Sequence, residues 1–173
     1  MKKILVILGI LLLVTGCTLT SNKKEKTYKL DNYGSFSISE NYMMREDHST
    51  REKPFFVDKK DEHSERPNNI SVNGGTNYYS KEDVLRFKEA IMQQMAYQAK
   101  AYNATLTSSG STTANGYDVL RFNMEASNLK AVQYYVVGDH KYFMVYATIF
   151  DTKDEDSVIK AAEYIVNTFT WEE

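Results

Sequence analysis

Two neighbouring segments restrict the architecture more than any other part of this sequence. Leu129 to Val137 and Tyr142 to Phe150 are apolar at odd and even positions alike, and only a short turn around Gly138-Asp139-His140 separates them. A strand with one face in water alternates apolar with polar residues, whereas a strand covered on both faces reads as a continuous apolar run. So short a connection makes the pairing antiparallel, because a parallel crossover needs a dozen residues or more. The chain must therefore place this hairpin at the centre of a sheet and cover both faces of it.

Two helices can provide that cover. Val84, Phe87, Ile91 and Met95 recur every three to four residues, flanked by Leu85, Met92 and Ala99, which predicts a helix from about Lys81 to Tyr102 with one buried face. Val158, Ala162, Ile165 and Phe169 form the same kind of stripe near the C-terminus. Ser80-Lys81-Glu82-Asp83 and Thr152-Lys153-Asp154-Glu155 read as capping boxes that open these helices. Tyr117 to Ser127 alternates, with Leu120, Phe122 and Met124 on one side, and Asn115-Gly116 is the turn before it. Tyr33 to Ile38, Phe55 to Val57 and Asn69 to Val72 are shorter strands, the last ended by a turn at Asn73-Gly74-Gly75. Asp58 to Asn68 is almost wholly polar and should be an exposed hairpin loop. The expected class is α+β, with a central antiparallel sheet covered on both faces.

Cys17 is the single cysteine, so the chain can form no internal disulfide or cysteine zinc site, and packing must supply its stability. The N-terminus around it has a specific pattern. Lys2 and Lys3 precede an apolar run from Ile4 to Val14, interrupted only by Gly9. As a helix that run would span roughly 16 Å, about half of a bilayer core, which suits a signal peptide rather than a membrane span. Val14-Thr15-Gly16-Cys17 then resembles the lipobox of bacterial lipoproteins. The resemblance implies a signal peptide over residues 1–16, cleavage before Cys17 and diacylglycerol on its sulfur, holding the chain to the membrane on the outer side of the cytoplasmic membrane. Two acyl chains anchor a protein stably without any membrane-binding surface of its own. Residues 17–29, with Lys23-Lys24-Glu25-Lys26, read as a lipidated tether, and residues 30–173 as one domain. Without Lys2 and Lys3 the chain carries 19 basic against 23 acidic side chains, no basis for binding nucleic acid.

The order of elements, together with Gly34-Ser35-Phe36-Ser37-Ile38 and the closing stretch from Lys141-Tyr142-Phe143 through Ile165-Val166-Asn167-Thr168-Phe169, resembles the PsbP and Mog1 group of domains. The likeness spans Tyr33 to Trp171, although Asn41-Tyr42 stands where members often carry a proline. It implies a central antiparallel sheet between helices, and no shared active site.

Asp58, Asp61, Glu62, His63 and Glu65 crowd one loop, but Lys59, Lys60 and Arg66 interleave and the spacing fits no metal-ligand pattern. Asp151, Asp154, Glu155 and Asp156 lack the turn glycine and the terminal glutamate of a calcium loop. His48, His63 and His140 fall in loops, and no nucleophile elbow, phosphate loop or paired-histidine helix accompanies them. The expectation is accordingly no catalytic residue, no metal site and no cofactor. Tyr134, Tyr135, Tyr142 and Tyr146 are expected mainly as sheet packing. The candidate contact surface is Tyr78-Tyr79 in the loop from Asn73 to Ser80, the alternative being that both tyrosines cap the end of the core. These readings favour a membrane-anchored interaction module with a protein partner over a small-ligand or metal carrier, and either over a hydrolase.

Overall fold

In a computed structural model, which describes residues 24–173, the chain forms ten strands and two long helices. They are β1 (Glu25–Leu30), β2 (Gly34–Ser39), β3 (Tyr42–Met44), β4 (Phe55–Asp58), β5 (Asn69–Thr76), α1 (Val84–Ala101), β6 (Thr105–Thr112), β7 (Asp118–Ala126), β8 (Leu129–Val137), β9 (Lys141–Ile149), α2 (Glu155–Thr168) and β10 (Thr170–Trp171). A seven-stranded antiparallel sheet has the order β3-β4-β5-β9-β8-β7-β6, with the two-sided apolar hairpin β8–β9 at its middle. A smaller sheet, β1-β2-β10, lies beside it.

Each central strand splits its side chains between two cores. Val132, Tyr134 and Val136 of β8, with Phe143, Val145 and Ala147 of β9, pack with α2 residues Val158, Ala162 and Ile165 and with Phe36 and Ile38 of β2. Tyr135 and Val137 point the other way, with Leu120 and Phe122 of β7, toward Phe87 and Met95 of α1. The layers are thus α1, the large sheet, and α2 side by side with the small sheet. Phe169, in extended conformation just after α2, stacks on Phe143 at 3.8 Å between ring centroids. Phe36 meets Phe143 at 5.6 Å and Phe56 at 6.1 Å, so the small sheet is joined to the large one by aromatic contact.

Several expectations need correction. Residues 25–29, read as tether, belong to β1, which pairs with β2 from Glu25↔Ser39 to Leu30↔Gly34. The exposed Glu25, Lys26 and Lys29 mask an alternation in which Tyr28 and Leu30 turn inward, Tyr28 onto Phe56 at 5.0 Å. Residues 17–23 of the proposed tether, Cys17 among them, and the signal peptide lie outside the described residues. Gly74 and Gly75 make no turn: β5 runs through them, pairing with Phe143 and Tyr142. They are glycines because aromatic rings lie where a side chain would be. A Cβ on Gly74 would sit 2.3 Å from Tyr33 Cγ, and one on Gly75 would sit 2.3 Å from Tyr142 Cζ. The Ser80 hydroxyl caps no backbone N–H. It donates to Asp83 Oδ2 at 2.9 Å, and a short 3-10 turn over Lys81–Asp83 precedes α1. Before α2 it is the Asp151 carboxylate, not Thr152, that accepts from a backbone N–H, that of Lys153 at 3.0 Å. Strand β6, absent from the sequence reading, forms the far edge of the large sheet.

Candidate functional site

The loop carrying Tyr78 and Tyr79 joins β5 to α1 at the end of the sheet where the β8–β9 turn also lies. Three hydrogen bonds fasten it. Asn77 N donates to His140 O at 2.9 Å, His140 N donates to Tyr79 O at 3.0 Å, and Tyr79 N donates to Asn77 Oδ1 at 2.9 Å. His140 adopts a positive φ of 55°, which brings its N–H and C=O round to meet the loop. The two tyrosines have opposite fates. Tyr79 is half-buried on Phe87, ring centroids 5.6 Å apart, and continues an aromatic cluster through Tyr135 and Tyr142. Tyr78 is 99% exposed. An anchored backbone thus holds one aromatic side chain fully in solvent.

A polar cleft of about 530 Å³ opens next to Gly74, between the β1–β2 turn, residues 51–52 and the C-terminal Glu172. Tyr33 forms part of its wall, Lys29 pairs with Glu172 at 2.5 Å, and Arg51 pairs with Asp31. These residues were missed in the sequence because they come from three distant segments, and only the pairing of the small sheet assembles them. A second cavity, about 220 Å³, lies between α2 and the small sheet and is lined by Tyr42, Ser157, Lys160 and Tyr164. Burial pushes the Tyr42 phenol up to about 12, and burial likewise raises Tyr134 and Tyr135.

Asp58, Asp151, Asp154 and Glu155 of the two acidic clusters are tied to lysines or backbone. Asp58 Oδ1 accepts from Lys60 N at 3.0 Å, while the Lys60 ammonium pairs with Asp154 at 2.6 Å, which links the 58–68 loop to the start of α2. Glu155 pairs with Lys130. Asn68, buried at the end of that loop, fastens it further: its Oδ1 accepts from Phe150 N and Asp151 N at 2.7 and 2.9 Å, and its Nδ2 donates to Asp151 O at 2.8 Å. The Arg66 guanidinium lies 4.5 Å over the Phe150 ring. His48, His63 and His140 are exposed. Among the described residues, no three His, Cys, Asp or Glu side chains group closely enough to hold a metal ion.

No curated protein matches the chain in sequence. Residues 1–18 match the family pattern of the prokaryotic membrane lipoprotein lipid attachment site. Among solved structures, the fold resembles cyanobacterial PsbP (CyanoP) from Synechocystis sp. PCC 6803, with a TM-score of 0.50, 13% identity, and 92% of this chain and 99% of that chain covered. It also resembles the Ran-binding protein Mog1p from Saccharomyces cerevisiae, with a TM-score of 0.57, 9% identity, and 86% of this chain and 95% of that chain covered. The chain is thus a lipid-anchored lipoprotein of the outer face of the cytoplasmic membrane, and its domain has the PsbP/Mog1 fold.

Proposed function

We propose that the chain, cleaved before Cys17, works as a non-enzymatic interaction module held at the membrane surface. The observation that carries this reading is Tyr78, an aromatic side chain 99% exposed on a loop that two hydrogen bonds fix to the neighbouring hairpin and a third braces internally. Exposing a large aromatic ring to water is unfavourable, and tyrosine presented on a rigid backbone suits a contact residue, because little conformational freedom is lost when it binds. Tyr79 has the separate role of fixing the loop to the core through Phe87. The same fold serves protein recognition in Mog1p, a Ran-binding protein, an analogy of fold only.

The test is chemical cross-linking of the lipidated protein in intact cells, comparing the wild type with Tyr78→Ala. Tyr78 touches solvent alone, so the variant should keep its thermal midpoint. Loss of a specific cross-linked partner at unchanged stability is the expected result. A partner captured equally by both proteins would remove Tyr78 from the interface, and no specific partner in either would overturn the interaction reading.

A further inference from the structure

Among the described residues the two sheets have four edges, and three of them are blunted. β10 and β3 are two and three residues long, and β1 carries Glu25, Lys26 and Lys29. Short or charged edges of this kind prevent a free row of backbone N–H and C=O groups from pairing with another chain. The fourth edge, β6, is different. It runs for eight residues, Thr105–Thr112, with no charge and no proline, and its ladder to β7 is continuous from Thr105↔Glu125 to Thr112↔Asp118. On the side away from β7 the backbone groups of alternate residues are presented to solvent.

The C-terminal half of β6 also has a groove on either face. On the α1 side, Val84, Leu85 and Leu120, with Lys88 and Asp118, line a space of about 330 Å³ beside Gly110 and Ser111, with Leu85 left 74% exposed. On the α2 side, Arg121, Tyr134, Glu163 and Asn167 line one of about 360 Å³ beside Ser109 and Ser111. We infer that β6 is a strand-addition site for an extended segment of a partner protein, its backbone continuing the sheet and its side chains falling alternately into the mixed groove beside Leu85 and the polar groove beside Arg121. Backbone pairing with pockets for alternate side chains is how a sheet edge recognises a peptide. A second copy of β6 would offer mostly serine, threonine and glycine, too short to fill either groove. The inference rests on reading the chain as an interaction module, but it does not involve Tyr78.

The probe is a panel of uncharged synthetic peptides, about nine residues long, with leucine and glutamine alternating, added to the full lipidated chain in nanodiscs and followed by fluorescence anisotropy. For a peptide that binds, two N-methylated forms are made, each blocking one alternate set of amides. Strand addition predicts that one form binds at least about tenfold more weakly and the other close to normally, since only one edge of the peptide faces β6. Leu85→Gln should weaken binding several-fold without lowering the thermal midpoint, and Tyr78→Ala should leave it unchanged. Equal effects of the two methylated forms, or no binding anywhere in the panel, overturn the inference. So does self-association cross-linked through position 109, which would make the occupant a second copy. In each of those cases the Tyr78-dependent partner is still testable by itself.

Discussion

The packing of Tyr33 over Gly74 makes a sharp prediction, because the same glycine in a turn would behave differently. In the structure Gly74 is an extended residue of β5, and an added Cβ would lie 2.3, 2.4 and 2.5 Å from Tyr33 Cγ, Cδ2 and Cδ1. Carbon atoms prefer about 3.5–4.0 Å, so the methyl overlaps the ring by more than about 1 Å and Tyr33 must move. Overpacking of this kind costs about 1–3 kcal/mol. For a chain of this size that lowers the melting temperature by roughly 2–12 °C. With Tyr33 truncated to alanine the obstacle is gone. Gly74→Ala should then be neutral or stabilising by about 0.4–1 kcal/mol, since alanine restricts the unfolded chain and the native backbone needs no positive φ. Thermal and urea unfolding of wild type, both single variants and the double variant measure the coupling. An equal loss for Gly74→Ala in both backgrounds would show that the ring is not the cause and would return Gly74 to a conformational role.

Other predictions address the helix face, the anchor and an ion pair. Phe87→Ala should cost about 3–5 kcal/mol because Phe87 is buried among Tyr79, Tyr135 and Tyr142. Ile91→Ala, only partly buried, should cost less, and Leu85→Ala should stay within about half a kcal/mol in urea unfolding; equal losses at all three positions would refute the assignment of the face. Cys17→Ala should abolish incorporation of a labelled fatty acid and release the chain from the membrane fraction or leave it uncleaved; unchanged labelling would disprove the anchor. The Arg45 guanidinium donates to both carboxylate oxygens of Asp47, at 2.8 and 2.5 Å, and this hydrogen bonding holds the carboxyl down to about 2. Because the folded value is depressed, the stability this pair contributes is present above the ordinary aspartate value of about 4 and disappears as pH falls toward 2. A carbon-detected NMR titration should show that midpoint moving upward in Arg45→Ala, and an unchanged midpoint would remove Arg45 as the cause.

The two-sided hydrophobicity of Leu129–Val137 and Tyr142–Phe150, the stripes of α1 and α2 and the lipobox ending at Cys17 are local patterns, so the sequence alone determined the central hairpin, the helical cover on both faces and the membrane address. Burial of side chains at a period of 2 or 3.6 residues leaves a mark that needs no partner to be read. Tertiary structure decided the rest. β6 has no apolar stripe because it lies at an edge, where backbone pairing with β7 rather than side-chain burial makes it a strand. β1 looked like a tether until β2 covered Tyr28 and Leu30. Gly74 and Gly75 look like a turn in sequence, but Tyr33 and Tyr142, distant in the chain, are what exclude their side chains. Tyr78 and Tyr79, identical neighbours in sequence, were separated into an exposed ring and a packed one only by the position of α1, because burial is a property of what arrives from elsewhere in the chain.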